Sequence, residues 1–243
     1  MNRPGRYICL LFLASVAVYA QNAKTDSIQE MLSRTKDDTN KVNKLTMLAN
    51  EYIYSEPWLS MEYAQQALVL AKKLDWRRGI GNAYDFIGHY YYTQSDYPNT
   101  LVYWLKALQE REARKDKKGI AAMLGNLGTV YDNEGNYQKA LEYYSRALKL
   151  AHEAGYKELQ AGMYGNIGSI YNNQGNYSKA EEYYMKSLKL KEETGNADGI
   201  ALCYANMGIL YDEQGQYAKA EDYYLRSINL SERLGNSDLT ASS

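Results

Sequence analysis

The chain has 243 residues, a net charge of −1, and 26 Tyr against 2 Phe and 3 Pro. Near-neutral charge excludes the strongly basic surface that nucleic acid requires, and two cysteines exclude a disulfide-stapled scaffold. Abundant tyrosine with little proline fits helices that pack through half-buried phenol rings, their hydroxyls left near water.

Residues 1–20 read as a signal peptide. Arg3 and Arg6 form a basic start, Ile8 to Val18 an apolar run too short to span a bilayer comfortably, and Val18-Tyr19-Ala20 a small-residue cleavage site. The mature chain then begins at Gln21 and is exported, to the periplasm or beyond. An uncleaved anchor or a buried first helix is the alternative. Cys9 lies inside the apolar run, so no lipid anchor is expected. With the leader removed Cys203 is the only cysteine, and it stands at the repeat position of Met123 and Met163, where a buried small side chain is expected.

Residues 21–40 follow as an N-terminal capping helix and linker. Lys24 to Arg34 is amphipathic through Ile28, Met31 and Leu32, and Asp37 to Asn40 offers several N-caps. The segment from Asn126 to Leu150 then returns at Asn166 to Leu190 and at Asn206 to Leu230. Near-copies at one period mark a repeat array. Five units follow, 41–78, 79–118, 119–158, 159–198 and 199–238, each of two helices. In the third unit, Ile120, Leu124, Leu127 and Tyr131 carry the helical period over about Gly119 to Asn133 (helix A). Ala140, Tyr144, Ala147, Leu148 and Ala151 carry it over about Tyr137 to Glu153 (helix B). Gly135-Asn136 separates the two; Gly155, Gly195 and Gly235 are expected to end successive B helices. Gly128, Gly168 and Gly208 on helix A, with Ala140, Ala180 and Ala220 opposite on helix B, predict close backbone approach.

These residues carry a resemblance. Leu127-Gly128, Tyr131, Gly135, Tyr137, Ala140, Tyr144 and Ala147 resemble the tetratricopeptide repeat, whose usual unit is about 34 residues. Here the unit is 40, with the extra residues expected between helix B and the next helix A. The longer unit is similar to arrays in cell-polarity adaptors, in kinesin light chains and in the N-terminal part of exported bacterial sensor proteins. The resemblance implies an all-α, right-handed superhelical solenoid of antiparallel helix pairs over roughly residues 41–238.

Unit two departs from the pattern at Ser95, Pro98, Thr100 and Trp104, and unit one has a turn one residue shorter around Pro57; both are expected to fold as helix pairs. Residues 239–243 read as the truncated start of a further helix. Helix B of the last unit, with Tyr223, Leu225, Ile228 and Leu230, should therefore expose apolar surface. Two readings stay open: a fragment of a longer signalling protein, which would supply any membrane contact, or self-association through residues 217–234.

No nucleophile motif, phosphate loop or metal spacing is present, so neither an enzyme nor a cofactor or metal is expected. His89 and His152 lie in different units, and acidic pairs such as Glu181-Glu182 suit the start of a helix B. The family places helix A on the concave face. That register implies a floor of mostly small residues (Ala122, Gly125, Gly162, Gly165, Ala205) and a ladder of Asn126, Asn166 and Asn206. A carboxamide offers both donor and acceptor to a peptide main chain; the alternative is that it satisfies neighbouring helix ends. Asp132, Asn133, Asn172, Asn173, Asp212 and Glu213 complete the expected groove, with His89 and Tyr92 extending it into unit two. No Lys or Arg occupies these positions in the last three units, so the expected ligand is a neutral or basic protein segment or extended peptide.

Overall fold

The structure, a computed structural model, describes residues 30–32 and 34–241, with side chains as far as Leu234. The expected leader and most of the expected capping helix lie outside these residues. From residue 39 the chain runs as α1 (Thr39–Tyr52), α2 (Pro57–Lys73), α3 (Arg77–Thr93), α4 (Tyr97–Ala113), α5 (Lys117–Asn133), α6 (Tyr137–Glu153), α7 (Lys157–Asn173), α8 (Tyr177–Thr194), α9 (Ala197–Glu213) and α10 (Tyr217–Ala241). The odd-numbered members are helices A and the even-numbered ones helices B. No described helix is long and apolar enough to cross a membrane.

From α2 onward each helix starts 20 residues after the one before. The link 154–156 between a helix B and the next helix A is as short as the link 134–136 within a unit. The residues beyond the usual repeat length therefore extend the helices; they do not form the longer connection expected. The later turns share a left-handed glycine. Gly135, Gly155, Gly175, Gly195 and Gly215 adopt φ of +68 to +73°, which costs glycine nothing sterically. The amide of Asn136 donates to the Tyr131 carbonyl at 2.8 Å and that of Gly135 to the Asp132 carbonyl at 2.8 Å, so the last carbonyls of helix A are satisfied. Asn136 then caps the next helix, its side chain accepting from the Lys139 amide at 3.2 Å.

The earlier turns place Asp75, Ser95 and Lys115 in the same left-handed region, at φ of 48°, 58° and 57°, where a Cβ meets the following carbonyl. Ser95→Gly and Lys115→Gly are each expected to stabilise the chain by about 0.5–1 kcal/mol, the relief of strain exceeding the added unfolded-state entropy. A urea midpoint that stays put or falls would count against this.

Within a unit, helix A presents glycine to an aromatic ring of helix B. A Cβ on Gly128, Gly168 or Gly208 would lie 2.6, 2.6 or 2.5 Å from a ring carbon of Tyr144, Tyr184 or Tyr224. The glycines accommodate a ring face, which is a different role from the backbone approach expected of them. Ala140 and Ala180, fully buried, line the same seam. At the other end of each pair two tyrosines stack, Tyr131 on Tyr143, Tyr171 on Tyr183 and Tyr211 on Tyr223, with centroids 5.4–5.5 Å apart.

Successive pairs pack B against the next A, and consecutive A helices touch across the pairs α1/α3, α5/α7 and α7/α9. The result is a right-handed superhelix with helices A along the concave face. Its far end differs from expectation: α10 runs on through Gly235 to Ala241, with no turn and no new helix at residue 239. At Gly195, by contrast, the chain reverses and α9 packs back on α8. Tyr217, Leu225 and Ile228 of α10 are exposed, as the sequence led one to expect for Leu225 and Ile228, whereas Tyr223, under its stack, and Leu230 are half-buried.

Candidate functional site

The concave face is built by one repeat position of each helix A. Asn126, Asn166 and Asn206 occupy it on α5, α7 and α9 and are half-buried. Tyr144 of the preceding unit donates to Thr129 Oγ1 at 3.1 Å, and Asn166 stands near the same hydroxyl. Burial drives the Tyr144 phenol far above the usual tyrosine range, so it stays a neutral donor. Asn126 and Asn206 have no side-chain hydrogen bond to any described residue. Towards the N-terminus the same repeat position holds Phe86 and Met47, and Met47 is 70% exposed.

Several residues assigned to the groove are engaged between units instead. Asn172 is buried and donates to Glu213 Oε2 at 2.8 Å; Asn133 donates to the Tyr92 hydroxyl at 2.9 Å. Each bond joins consecutive A helices across the same pair of repeat positions, 41 residues apart, so these four side chains are struts that hold the superhelix. Tyr92 also stacks on Trp104, and His89 meets both rings edge-on. Asp132 is half-buried, and desolvation raises its carboxyl above the usual range. Asn173, Asp212 and Glu213 are exposed. The floor is uneven: Gly162 has open space around it, whereas a Cβ at Gly125 would stand 2.7 Å from the Met163 methyl, which already fills that place.

Electrostatics vary along the superhelix. One position in the first turn of helix A reads Arg78, Lys118, Glu158 and Asp198 in successive units. Glu158 is held by Lys191 at 2.6 Å, by the Thr194 hydroxyl and by Asn196 at 2.8 Å, and the Lys191 and Thr194 bonds draw its carboxyl down to about 2. In the earlier units the cations remain. Arg78 and Lys118 join Arg111 and Arg114 around a cavity of about 690 Å³ beside Asn82 and Ala122. Sequence register could not find it, because Arg111 and Arg114 belong to the last turn of a helix B. Behind it Asp85 of α3 pairs with Arg111 at 2.5 Å. Cys203 is buried, against Ser187 Oγ at 3.4 Å.

A family model described as "Tetratricopeptide repeat" matches residues 79–153 and 159–233, more than half of the chain. The chain belongs to the tetratricopeptide repeat family. No curated protein matches it. Among solved structures this tetratricopeptide chain is similar to the signal transduction ATPase PH0952 from Pyrococcus horikoshii, described as having a tetratricopeptide repeat sensor. The TM-score is 0.70 at 22% identity, over 89% of this chain and 34% of that one. NprR in complex with its cognate peptide NprX gives 0.66 at 18%, over 90% and 63%. Aspartyl phosphate phosphatase F from Bacillus subtilis gives 0.66 at 18%, over 81% and 61%. The chain thus spans less than two thirds of the length of each of these three. At such identities the likeness is one of fold, and the tetratricopeptide solenoid is the shared element.

Proposed function

We propose that the concave face binds an extended protein segment, with Asn126, Asn166 and Asn206 bonding its main chain. The observation that carries this is the pair Asn126 and Asn206, two half-buried carboxamides at one repeat position that no described residue uses. A carboxamide left open on the groove offers both donor and acceptor, which a peptide main chain matches. The complex of NprR with a peptide supports the same use of this fold. The chain then serves as a binding module and not as an enzyme: His89 is enclosed by aromatic rings and His152 lies beside Gln160. The likeness to the repeat sensor of PH0952 supports a place as the receptor part of a larger signalling protein, and the leader expected from the sequence of residues 1–20 supports export.

Selection from a random decapeptide library, followed by fluorescence anisotropy on the strongest binders, tests the ladder. Asn126→Ala/Asn206→Ala is expected to weaken binding at least about tenfold, two main-chain hydrogen bonds being lost, with an unchanged thermal melt. Adding Asn166→Ala should weaken it further, a third main-chain contact being lost. Undiminished affinity in a folded double variant would sink the reading.

A further inference from the structure

Two cavities open side by side at the N-terminal part of the concave face, and Asn82 of α3 lines both. The first, about 760 Å³, has apolar walls from Met31, Met47, Leu48 and Phe86. Met31 and Met47 are 45% and 70% exposed. The second is the cationic cavity, with Arg78 from the first turn of α3, Arg111 and Arg114 from the end of α4 and Lys118 from the first turn of α5. It exists because α3 and α5 touch less than the other consecutive A helices do. Gly119 admits its deepest member: a Cβ there would stand 2.8 Å from Arg111 Nη1.

Charge is not balanced inside it. Arg111 is paired with Asp85 at 2.5 Å and Arg114 with Asp116 at 2.7 Å. Arg78 and Lys118 have no acidic partner among the described residues, although the chain as a whole carries a net charge of −1. In the next two units their repeat position is acidic, so the cations are peculiar to this place and are not a by-product of the repeat. Two uncompensated charges beside two paired guanidiniums, in a concavity open to solvent, fit an oxyanion of modest size.

We propose that the joined cavities anchor one end of the bound segment. An apolar side chain enters between Met31, Met47 and Phe86, and an adjoining anionic group, carboxylate or phosphoryl, sits among Arg78, Arg111, Arg114 and Lys118. Asn82, between the two, offers donor and acceptor to the intervening main chain. This rests on the peptide reading of the groove and gives it a direction. The anionic end lies at units two and three, and the remainder runs towards Asp132, Asp212 and Glu213, where neutral or basic residues are favoured. The neutral-to-basic ligand expected from the last three units thus describes only that half of the groove.

Two random decapeptide libraries, one ending in free carboxylate and one in amide, both containing Glu and phosphoserine among their residues, are screened against the full chain. The strongest binders are then measured by anisotropy. Selected peptides are expected to carry an oxyanion next to Leu, Ile, Met or Phe; which library and which residue is enriched tells a terminal carboxylate from a Glu or a phosphoryl group. Arg78→Glu/Lys118→Glu alters two side chains outside every ion pair and should weaken these peptides about tenfold or more, the loss shrinking at high salt. Met47→Asp should weaken them through the apolar cavity. Neutral consensus peptides, or a charge-reversed variant within about twofold of wild type, overturn the anchor. If such neutral binding still needs Asn126 and Asn206, the groove reading stands alone. Acid-selective binding indifferent to those asparagines overturns the ladder and leaves the anchor. Selection of no peptide by either library overturns both.

Discussion

Gly168→Leu is expected to lower the stability of the chain by at least about 3 kcal/mol, or roughly 6–12 °C in melting temperature. The Tyr184 ring lies where the new Cβ would stand, 2.6 Å away, and Tyr184 is only 3% exposed, so it has no room to retreat. The leucine must expel the ring from the seam between α7 and α8 or push the helices apart. Expulsion also breaks the bond from the Tyr184 hydroxyl to Ser169 Oγ at 3.2 Å. Repeat arrays transmit stability chiefly to neighbours, so lost hydrogen-exchange protection should concentrate in α7 to α10. Gly162→Ala is the control: it adds a methyl to the same helix where nothing lies within 4 Å, and should be neutral or stabilising by up to about 1 kcal/mol. In the Gly168→Leu background, Tyr184→Ala should cost much less than alone. An unchanged melt for Gly168→Leu, or strictly additive losses in the double variant, would refute the ring-accommodation account.

Arg111→Met is expected to destabilise by about 2–3 kcal/mol at neutral pH. Removing one partner of a buried pair costs about 3–5 kcal/mol, and the residual 14% and 22% exposure of Arg111 and Asp85 reduces it. Asp85 Oδ1 is buried without a partner even in the native chain. Burial raises the Asp85 carboxyl above its ordinary value, while Arg111 and then His89 hold it down. A carboxyl whose folded pKa exceeds its unfolded one binds a proton on folding. Its contribution to stability therefore declines as pH rises through the interval between the two values. Without Arg111 that interval widens upwards, so the deficit against wild type should be largest near pH 7 and should shrink as Asp85 protonates on acidification. Arg111→Met/Asp85→Asn should be more stable than Arg111→Met alone. Urea midpoints at pH 7 and in mild acid decide it: an equal deficit at both, or a double variant no better than the single, rejects the paired-charge account.

The candidate site was legible only in part. Asn126, Asn166 and Asn206 could be aligned because one repeat position is one face of helix A, and the structure keeps them on that face. What their amides do could not be aligned: Asn166 stands near the Tyr144 hydroxyl, whereas Asn126 and Asn206 bond no described side chain. Asn172 and Asn133 occupy neighbouring repeat positions and share one chemistry. Asn172 donates to Glu213 one unit on and Asn133 to the Tyr92 hydroxyl one unit back, the two sides of one contact that exists only once the units are stacked.

By itself the sequence determined the elements. Gly-Asn and Gly-Gln pairs at a fixed interval supply the left-handed residue and, in the Asn turns, the side-chain cap, and the helical period of apolar residues supplies the two seams; both are local properties that read directly from residue types. Tertiary structure alone decided three things. The glycines of helix A lie beneath aromatic rings, α10 runs past Gly235, and cations from three helices meet between α3 and α5. The first and the last depend on the distance and rotation between packed helices, and those follow from packing summed over whole faces, which no single residue or spacing encodes.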